Sequence, residues 1–449
     1  MEDSRRGPQT QGRLLIPRDR LHQVTMRSLA RQNTPILLEG GGVALAATAV
    51  ALFSLLPGAK LIGLLLALLA GALFWAGRRK FWQHTPLDAP ILLLLIQVGV
   101  SFWASALPDK TWVAACQLGS GLVAYYTIVN WSRDQARLWW VVAALILLGL
   151  GLALIAPFAV DWFRNRKTFL PPVLYRFFPL LLPDSIHPNV MASSLATLMP
   201  LPFALSLALP RTSRRQLWLR RTLLVVCLFQ FLILILTKSR GGYLALSVGL
   251  WLTLWLSGHR RWAIALTLVA ALLLAWLATR PPVETIVEPG ATQAALDAST
   301  WGFRQQVWRA ALQTIGDFPF TGTGMGTFND VAVLSYGFYA PDNPQAHNLF
   351  LQVAVDLGIL GLISFLSILI LTLWAAFRAY RLFDSSQNQL LRAVAIGSLS
   401  GLAATIAHGM IDAHTWGSKG AFIPWTVMGL VVALHTLALS RPHDQEPVN

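Results

Sequence analysis

Residues 138–160 read LWWVVAALILLGLGLALIAPFAV, an unbroken apolar run with no charged side chain. At 1.5 Å of rise per residue a helix of this length reaches about 35 Å, enough to cross the ~30 Å hydrocarbon core of a bilayer. Similar runs lie on both sides of it, at about 36–57, 61–77, 89–107, 112–130, 188–209, 221–237, 241–257, 262–279, 346–377, 390–411 and 420–440. The whole chain of 449 residues is 55% apolar and 12% charged, where a soluble domain is roughly 45–50% apolar and about 25% charged. At about 20 residues per span, such a composition fills about twelve spans and leaves no room for a large soluble domain. The expected fold is an all-α polytopic membrane helical bundle of about 12 transmembrane helices, with a large extracytoplasmic loop capping the bundle before the tenth span.

Charge placement orients the bundle. The formal net charge is +15, but the basic residues sit in short clusters between apolar runs, which reads as topology signalling and excludes a nucleic-acid partner. With the N-terminus inside, about 23 of the 35 Lys and Arg fall on the inner side, including seven arginines in residues 1–35. That excess favours cytoplasmic termini. The first apolar run is too long for a cleaved signal peptide, and further spans follow it closely. The expected organisation is a basic cytoplasmic arm (1–35), transmembrane helices 1–9 (36–279), an extracytoplasmic loop (280–345), transmembrane helices 10–12 (346–440) and a cytoplasmic tail (441–449). Cys116 and Cys227 both lie within apolar runs, so neither a disulfide framework nor a cysteine metal site is expected.

Two outer connections exceed a turn, about 161–187 and about 280–345. Within the second, Thr300–Ile315 carries Phe303, Val307, Ala310, Ala311 and Ile315 at helical spacing and reads as an amphipathic helix that caps the bundle. Positive charge on the outer face runs against the orientation rule, so it asks for a reason. Lys238 and Arg240, in the turn TKSRGG before the eighth run, suit an anion at a helix N-terminus and equally suit interfacial anchoring. Arg304 shares a helix face with Trp308, and Arg309 is next to that tryptophan; guanidinium forks match phosphate, while a solvated helix face is the plainer reading. His347 opens the tenth run and is a candidate general base, or a capping residue.

Further positions carry weaker signals. His187-Pro188-Asn189 reads first as a turn and helix cap and second as a substrate contact. Gly322, Gly324 and Gly326 read as a turn, since they lack the strand-turn-helix setting of nucleotide sites. Asp356 lies inside a span, about half a helical turn around from His347, and is expected to pair elsewhere. His408, Asp412 and His414 gather at an outer helix end, but without a metalloprotease or paired-cysteine motif no metal is expected.

Together these pieces resemble the O-antigen ligase and polymerase family of bacterial envelope glycosyltransferases over most of the chain. The resemblance rests on the span count, the long loop before the tenth span, and two patterns. Arg240 and Leu244 fit Arg-x-x-x-Leu, while His347, Asn348, Gly358 and Gly361 fit His-Asn, nine residues, then Gly-x-x-Gly, with Asp356 at the usual acidic position. Asn189 fits a common asparagine at the sixth span. The resemblance implies transfer of a glycan from undecaprenyl pyrophosphate to an acceptor hydroxyl, of lipid A core or a growing polysaccharide, on the outer face of the bacterial cytoplasmic (inner) membrane. Neither metal nor cofactor is implied, and in-line attack at the anomeric carbon inverts its configuration. Arg240 and Arg304 would bind the pyrophosphate and His347 would deprotonate the hydroxyl, both arginines lowering its pKa. Lys238, Asn189, Asn348 and Arg309 become possible substrate contacts, and Leu244, Gly358 and Gly361 a helix-packing motif. The polyprenyl chain would lie in a lipid-facing cleft between spans.

The rival is a small-anion, bicarbonate-type membrane transporter, which predicts ionisable groups at mid-membrane and broken helices. Here the suspicious residues gather instead at one outer surface. A lipid-binding scaffold without catalysis is a third reading, in which His347 is dispensable.

Overall fold

The computed structural model describes residues 37–54, 56–78, 83–160, 162, 185–278, 301–337, 345–384 and 388–441. The basic arm, the last eight residues, most of the 161–187 connection, and 279–300 and 338–344 of the large loop lie outside the described residues. Among those described, the only extended pairing is an isolated parallel bridge between Val160 and Ile186.

Every expected apolar run coincides with helix. The first five are α1 (Leu37–Ser54), α2 (Lys60–Arg78), α3 (Asp88–Ala104), α4 (Pro108–Trp131) and α5 (Gln135–Ala159). The sixth is divided into α6 (Pro188–Leu198) and α7 (Pro200–Ala208). Proline at 200 lacks the N–H that would bond back into the preceding turn, and Pro202 repeats the interruption. Then come α8 (Arg214–Leu236), α9 (Arg240–Leu256) and α10 (Arg260–Ala278). The large loop contributes α11 (Trp301–Asp317), as its periodicity predicts, and a second helix, α12 (Phe328–Tyr336), that periodicity did not reveal. The chain closes with α13 (Leu349–Leu382), α14 (Gln389–Gly409) and α15 (Phe422–Leu439). Nine spans among the described residues are long and apolar enough to cross a membrane, with α6 and α7 together forming one of them, and α3 is apolar at 17 residues.

Local sequence fixes where these helices start. Ser213 and Gln216 form a reciprocal capping box at α8, Asp134 accepts from the Arg137 N–H at α5, and Ser239 accepts from the Gly242 N–H at α9. Proline occupies the first turn of α4, α6 and α7, where its missing donor costs nothing. The α6–α7 pair and α15 are buried along most of their length, whereas α2 turns most of its surface outward. Leu61, Leu65 and Leu68 of α2, Val225 and Leu228 of α8 and Leu268 and Leu272 of α10 are exposed, as a lipid-facing rim requires. The bundle is therefore a polytopic membrane fold with its middle helices shielded from lipid.

The long helix α13 is broken inside the span. Gly358 has φ 72° and ψ −176°, a left-handed backbone that side-chain-bearing residues rarely adopt. A Cβ there would stand 2.7 Å from the Pro319 carbonyl oxygen, and one on Gly322 (φ 64°) would stand 2.3 Å from the Asp356 carbonyl oxygen. The loop after α11 is thus pressed into the break. Four of the freed backbone groups find partners outside the helix: Thr323 N–H donates to Val355 O at 2.9 Å, Ser101 Oγ to Asp356 O at 2.7 Å, Gln97 Nε2 to Leu357 O at 3.2 Å, and Ile359 N–H to Pro319 O at 2.7 Å. The glycine-rich segment is the turn expected, with Gly322, Gly324 and Gly326 all at positive φ.

This corrects the reading of Gly358 and Leu244 as helix-packing residues. Gly358 ends a helix segment and admits a loop, while Leu244 is 47% exposed on α9. Close packing of α9 belongs to its glycines instead. A Cβ on Gly242 would meet Ala192 of α6 at 2.6 Å, and one on Gly241 would meet His408 of α14 at 3.2 Å. Gly361 is buried, and a Cβ there would meet Leu357 of the same helix at 2.2 Å.

Two apolar cavities open between helices. One of about 720 Å³ lies among α1, α4, α5, α6 and α15, with Trp131 and Trp140 at one end and Ile186, Val190, Lys419 and Gly420 at the other. The second, about 510 Å³, lies among α2, α3 and α4, over Asp88, Tyr126 and Asn130.

Candidate functional site

The starts of α6, α9 and α13 and the end of α14 meet at one end of the bundle, and the polar residues gather there. Asn348 caps α13, accepting from the N–H groups of Phe350 and Leu351, and its Nδ2 donates to Met410 O at 3.0 Å, tying α13 to the end of α14. His347, just before the cap, is 8% exposed and has φ 49°. A left-handed conformation is uncommon for histidine, and strained backbone of this kind persists only where the surroundings enforce it.

Arg304 arrives on α11. The face of that helix bearing Val307, Ala310 and Ala311 is buried with Phe328, Ala332, Ala346 and Val355, so the helix docks directly on the segment that carries His347. Arg304 is half-buried and close enough to His347 to influence its ionisation. Arg309, five residues further on, is exposed and points about 140° away around the helix.

The third element is Asp412, in the turn after α14 and 3% exposed. Its carboxylate accepts from Asn189 Nδ2 at 2.8 Å and from the Ala413 N–H at 2.8 Å, and His414 Nε2 lies 3.5 Å away. His187 caps α6, accepting from the Asn189 N–H at Nδ1, and its ring lies 4.6 Å from that of His414. His408 is buried beneath this turn, with neither ring nitrogen hydrogen-bonded among the described residues. Lys238 follows α8 at φ 54° in the left-handed position that often ends a helix, its N–H donating to Ile235 O at 3.1 Å. Arg240 is exposed at the first turn of α9, one residue from the glycine against which His408 packs.

The electrostatics follow from burial. Loss of water pushes the His347 imidazole down to about 4; Asp412 works against that shift, and His414 and Arg304 reinforce it. This amends the expectation that two arginines set its pKa: burial comes first, Arg304 contributes, and Arg240 is not among the causes. Burial by itself would raise the Asp412 carboxyl, but the surrounding His414, His408, His347 and His187 hold it below its ordinary value. At neutral pH the site therefore presents an uncharged imidazole beside a guanidinium and an ionised carboxylate. It can accept a proton and hold an anion at adjacent points.

Of the residues singled out in sequence, His347, Arg304, Asn189 and Asn348 are brought together, and the α8–α9 turn brings Lys238 and Arg240 to the same end. Asp412, His414 and His187 were not read as neighbours of the histidine. The signal for Asp412 and His414 was the density of histidine and aspartate near 408–414, which resembles metal ligation, and that for His187 was its place in a turn and helix cap; among the described residues no three such side chains are arranged to hold a metal ion.

No curated protein matches the chain. Residues 223–366 match the family model described as O-antigen ligase, a stretch that runs from α8 into α13 and includes Arg240, Arg304, His347, Gly358 and Gly361. Over this stretch, about a third of its length, the chain is similar to O-antigen ligases.

Proposed function

We propose that the protein transfers a glycan from undecaprenyl pyrophosphate to an acceptor hydroxyl, with His347 as general base and Arg240 and Arg304 as pyrophosphate ligands. The observation that carries this reading is the convergence of a buried neutral imidazole with Arg304 and Asp412 from three distant parts of the chain. Pyrophosphate is already a good leaving group. What the reaction needs is neutralisation of the charge that builds on it and removal of the proton from the attacking hydroxyl. The bond from the anomeric carbon to pyrophosphate oxygen breaks as the bond to the acceptor oxygen forms on the opposite face, and the hydroxyl proton passes to His347. No step needs a metal or cofactor. Lys238, Asn189 and Asn348, at the same end of the bundle, are assigned to substrate contact, whereas the exposed side of α11 makes Arg309 a solvated residue.

The larger apolar cavity, about 720 Å³, offers an apolar wall to the part of the polyprenyl chain next to the pyrophosphate. Its upper lining includes Ile186 and Val190, the chain neighbours of His187 and Asn189, so a tail lying there would end at the polar cluster. The orientation, with both termini cytoplasmic and residues 280–345 outside, is supported by the excess of Lys and Arg on the inner side. The transport reading draws on the break in α13 beside Asp356, the feature it would require. Against it, the carbonyls freed by that break are bonded to Thr323, Ser101 and Gln97, and the loop after α11 fills the gap.

Reconstitution in proteoliposomes tests the function and the orientation together. With a polyprenyl-pyrophosphate-linked glycan in the bilayer and a membrane-impermeant acceptor, free polyprenyl pyrophosphate should be released only when the acceptor is on the side of residues 301–337. The new linkage should have inverted anomeric configuration. Absence of release with lipid A core or polysaccharide acceptor on either side would overturn the proposal.

The pH dependence gives a second test. With a pKa near 4 in the free protein, His347 is neutral above that value and protonated below it, so kcat/KM should fall as pH drops through about 4. Bound pyrophosphate places negative charge beside the imidazole and raises its pKa. The acid limb of kcat, which reports the substrate complex, should therefore lie at higher pH than that of kcat/KM. Coincident limbs would mean that the anion does not sit beside His347.

A further inference from the structure

The most heavily bonded side chain near the site is one that the chemistry above does not use. Asp356 is 1% exposed within α13, where an unpaired carboxylate would be costly. Its Oδ1 accepts from Gln352 Nε2 at 2.9 Å and from the Gly326 N–H at 3.2 Å, and its Oδ2 accepts from Trp416 Nε1 at 2.8 Å. Each donor leads to a different part of the site. Gln352 turns its other end to the backbone just before His347, Oε1 accepting from the Ala346 N–H at 2.6 Å. Gly326 belongs to the loop between α11, which carries Arg304, and α12. Trp416 belongs to the turn of Asp412 and His414, its backbone N–H donating to Ala413 O at 3.0 Å, and its ring packs edge-on to Phe365 at 5.2 Å. One buried carboxylate thus joins the three segments that carry the base, the loop arginine and the acidic partner.

We propose that Asp356 is a positioning residue for glycan transfer, holding His347 in register with Asp412 and His414 through Gln352 and Trp416. The inference rests on His347 acting as the base. The geometry requires an acceptor at every bonded point of Asp356: asparagine can keep its oxygen toward Gln352 and Gly326, but its amide then meets the Trp416 N–H, donor against donor. Rotating the Gln352 amide instead would deprive the Ala346 N–H of its acceptor. In the Asp356→Asn protein the two segments part, and His347 gains access to water. The groups around His347 are Asp412, His414 and Arg304, with His187 and His408 around Asp412. If burial weakens, the imidazole's pKa climbs from near 4 toward its ordinary 6.5.

The test compares Asp356→Asn with the double variant Asp356→Asn/Trp416→Phe, which removes the opposing N–H while keeping an aromatic ring against Phe365. The single variant should lose about 10²-fold in kcat, the scale of a misplacement of about 1 Å, with donor KM little changed and the acid limb of kcat/KM moved to higher pH. The double variant should regain much of the rate and move the limb most of the way back, to the position of Trp416→Phe. Acylation of His347 by diethyl pyrocarbonate, followed on its peptide by mass spectrometry, needs no turnover. It should be slow in wild type, fast in Asp356→Asn and slower again in the double variant, near the rate of Trp416→Phe. Restoration on both measures supports the proposal; a double variant as impaired as the single, or unchanged His347 acylation in Asp356→Asn, overturns it. Should Asp356→Asn fail to fold, Trp416→Phe alone removes one of the three bonds and should shift acylation and limb in the same direction by less, and no shift would be equally fatal. Because acylation reports position alone, a wrong assignment of His347 as base would leave the acylation pattern intact while removing the effects on rate.

Discussion

Glycan transfer by the His347→Asn protein is expected to fall by about 10²–10⁴-fold, the usual scale for a lost acid–base group, while donor lipid still binds. Asparagine is the informative replacement because of the backbone at this position. With φ at 49°, alanine would pay roughly 1–2 kcal/mol for a left-handed conformation that asparagine tolerates. A loss of rate in an alanine variant would mix strain with chemistry. The asparagine amide keeps polarity in the buried site but cannot take up a proton near neutral pH, so what disappears is the base. Donor binding should survive because Arg240 and Arg304 remain. The measurement is single-turnover transfer at matched amounts of folded protein, alongside equilibrium binding of the polyprenyl pyrophosphate donor. An undiminished rate would remove His347 from the chemistry. Loss of donor binding would instead make it a ligand-positioning residue, and Asp412 would become the group to examine as base.

How much of this could be read from the chain depended on the distance over which each feature is decided. The run at 138–160 became α5 because the length of an apolar segment is a property of consecutive residues. The amphipathic helix around Arg304 was legible for the same reason, its period lying within one turn or two. The break in α13 was not: the need for glycine at 358 comes from Pro319 and Phe320, which approach from another segment, and nothing in the spacing of 349–382 announces them. Asn189 and Asp412 were both noticed, yet the hydrogen bond between them spans 223 positions of sequence, and pairing at that range leaves no periodic trace. The same limit applies to electrostatics. Arginines near His347 suggested a lowered pKa with the right sign, but the leading cause is burial, created by helices and a loop converging on the histidine. Asp356 was expected to find partners away from His347. It does, and through them it reaches back to the backbone beside it.

Alanine at Arg304 or at Arg240 is expected to weaken donor binding, by unequal amounts and with different signatures. A charge-assisted hydrogen bond contributes about 1.5–3 kcal/mol, so loss of one guanidinium should cost on the order of 10–150-fold in affinity, with Arg304 toward the upper end. Arg304 is half-buried on the docked face of α11, where salt screens poorly, whereas Arg240 is exposed at the first turn of α9. The deficit of Arg240→Ala relative to wild type should therefore shrink as ionic strength rises, while that of Arg304→Ala persists. Lysine at either position keeps the charge but loses the planar fork that engages two phosphate oxygens, so both lysine variants should fall between wild type and alanine. A third signature separates the two residues. Arg304 helps to lower the His347 pKa and Arg240 is not among its causes. Removing a neighbouring positive charge favours imidazolium, so the acid limb of kcat/KM should move to higher pH in Arg304→Ala and stay in place in Arg240→Ala. Wild-type donor affinity in both alanine variants would take the two arginines out of the pyrophosphate site. An unmoved limb in Arg304→Ala would place that residue too far from His347 to share one substrate with it.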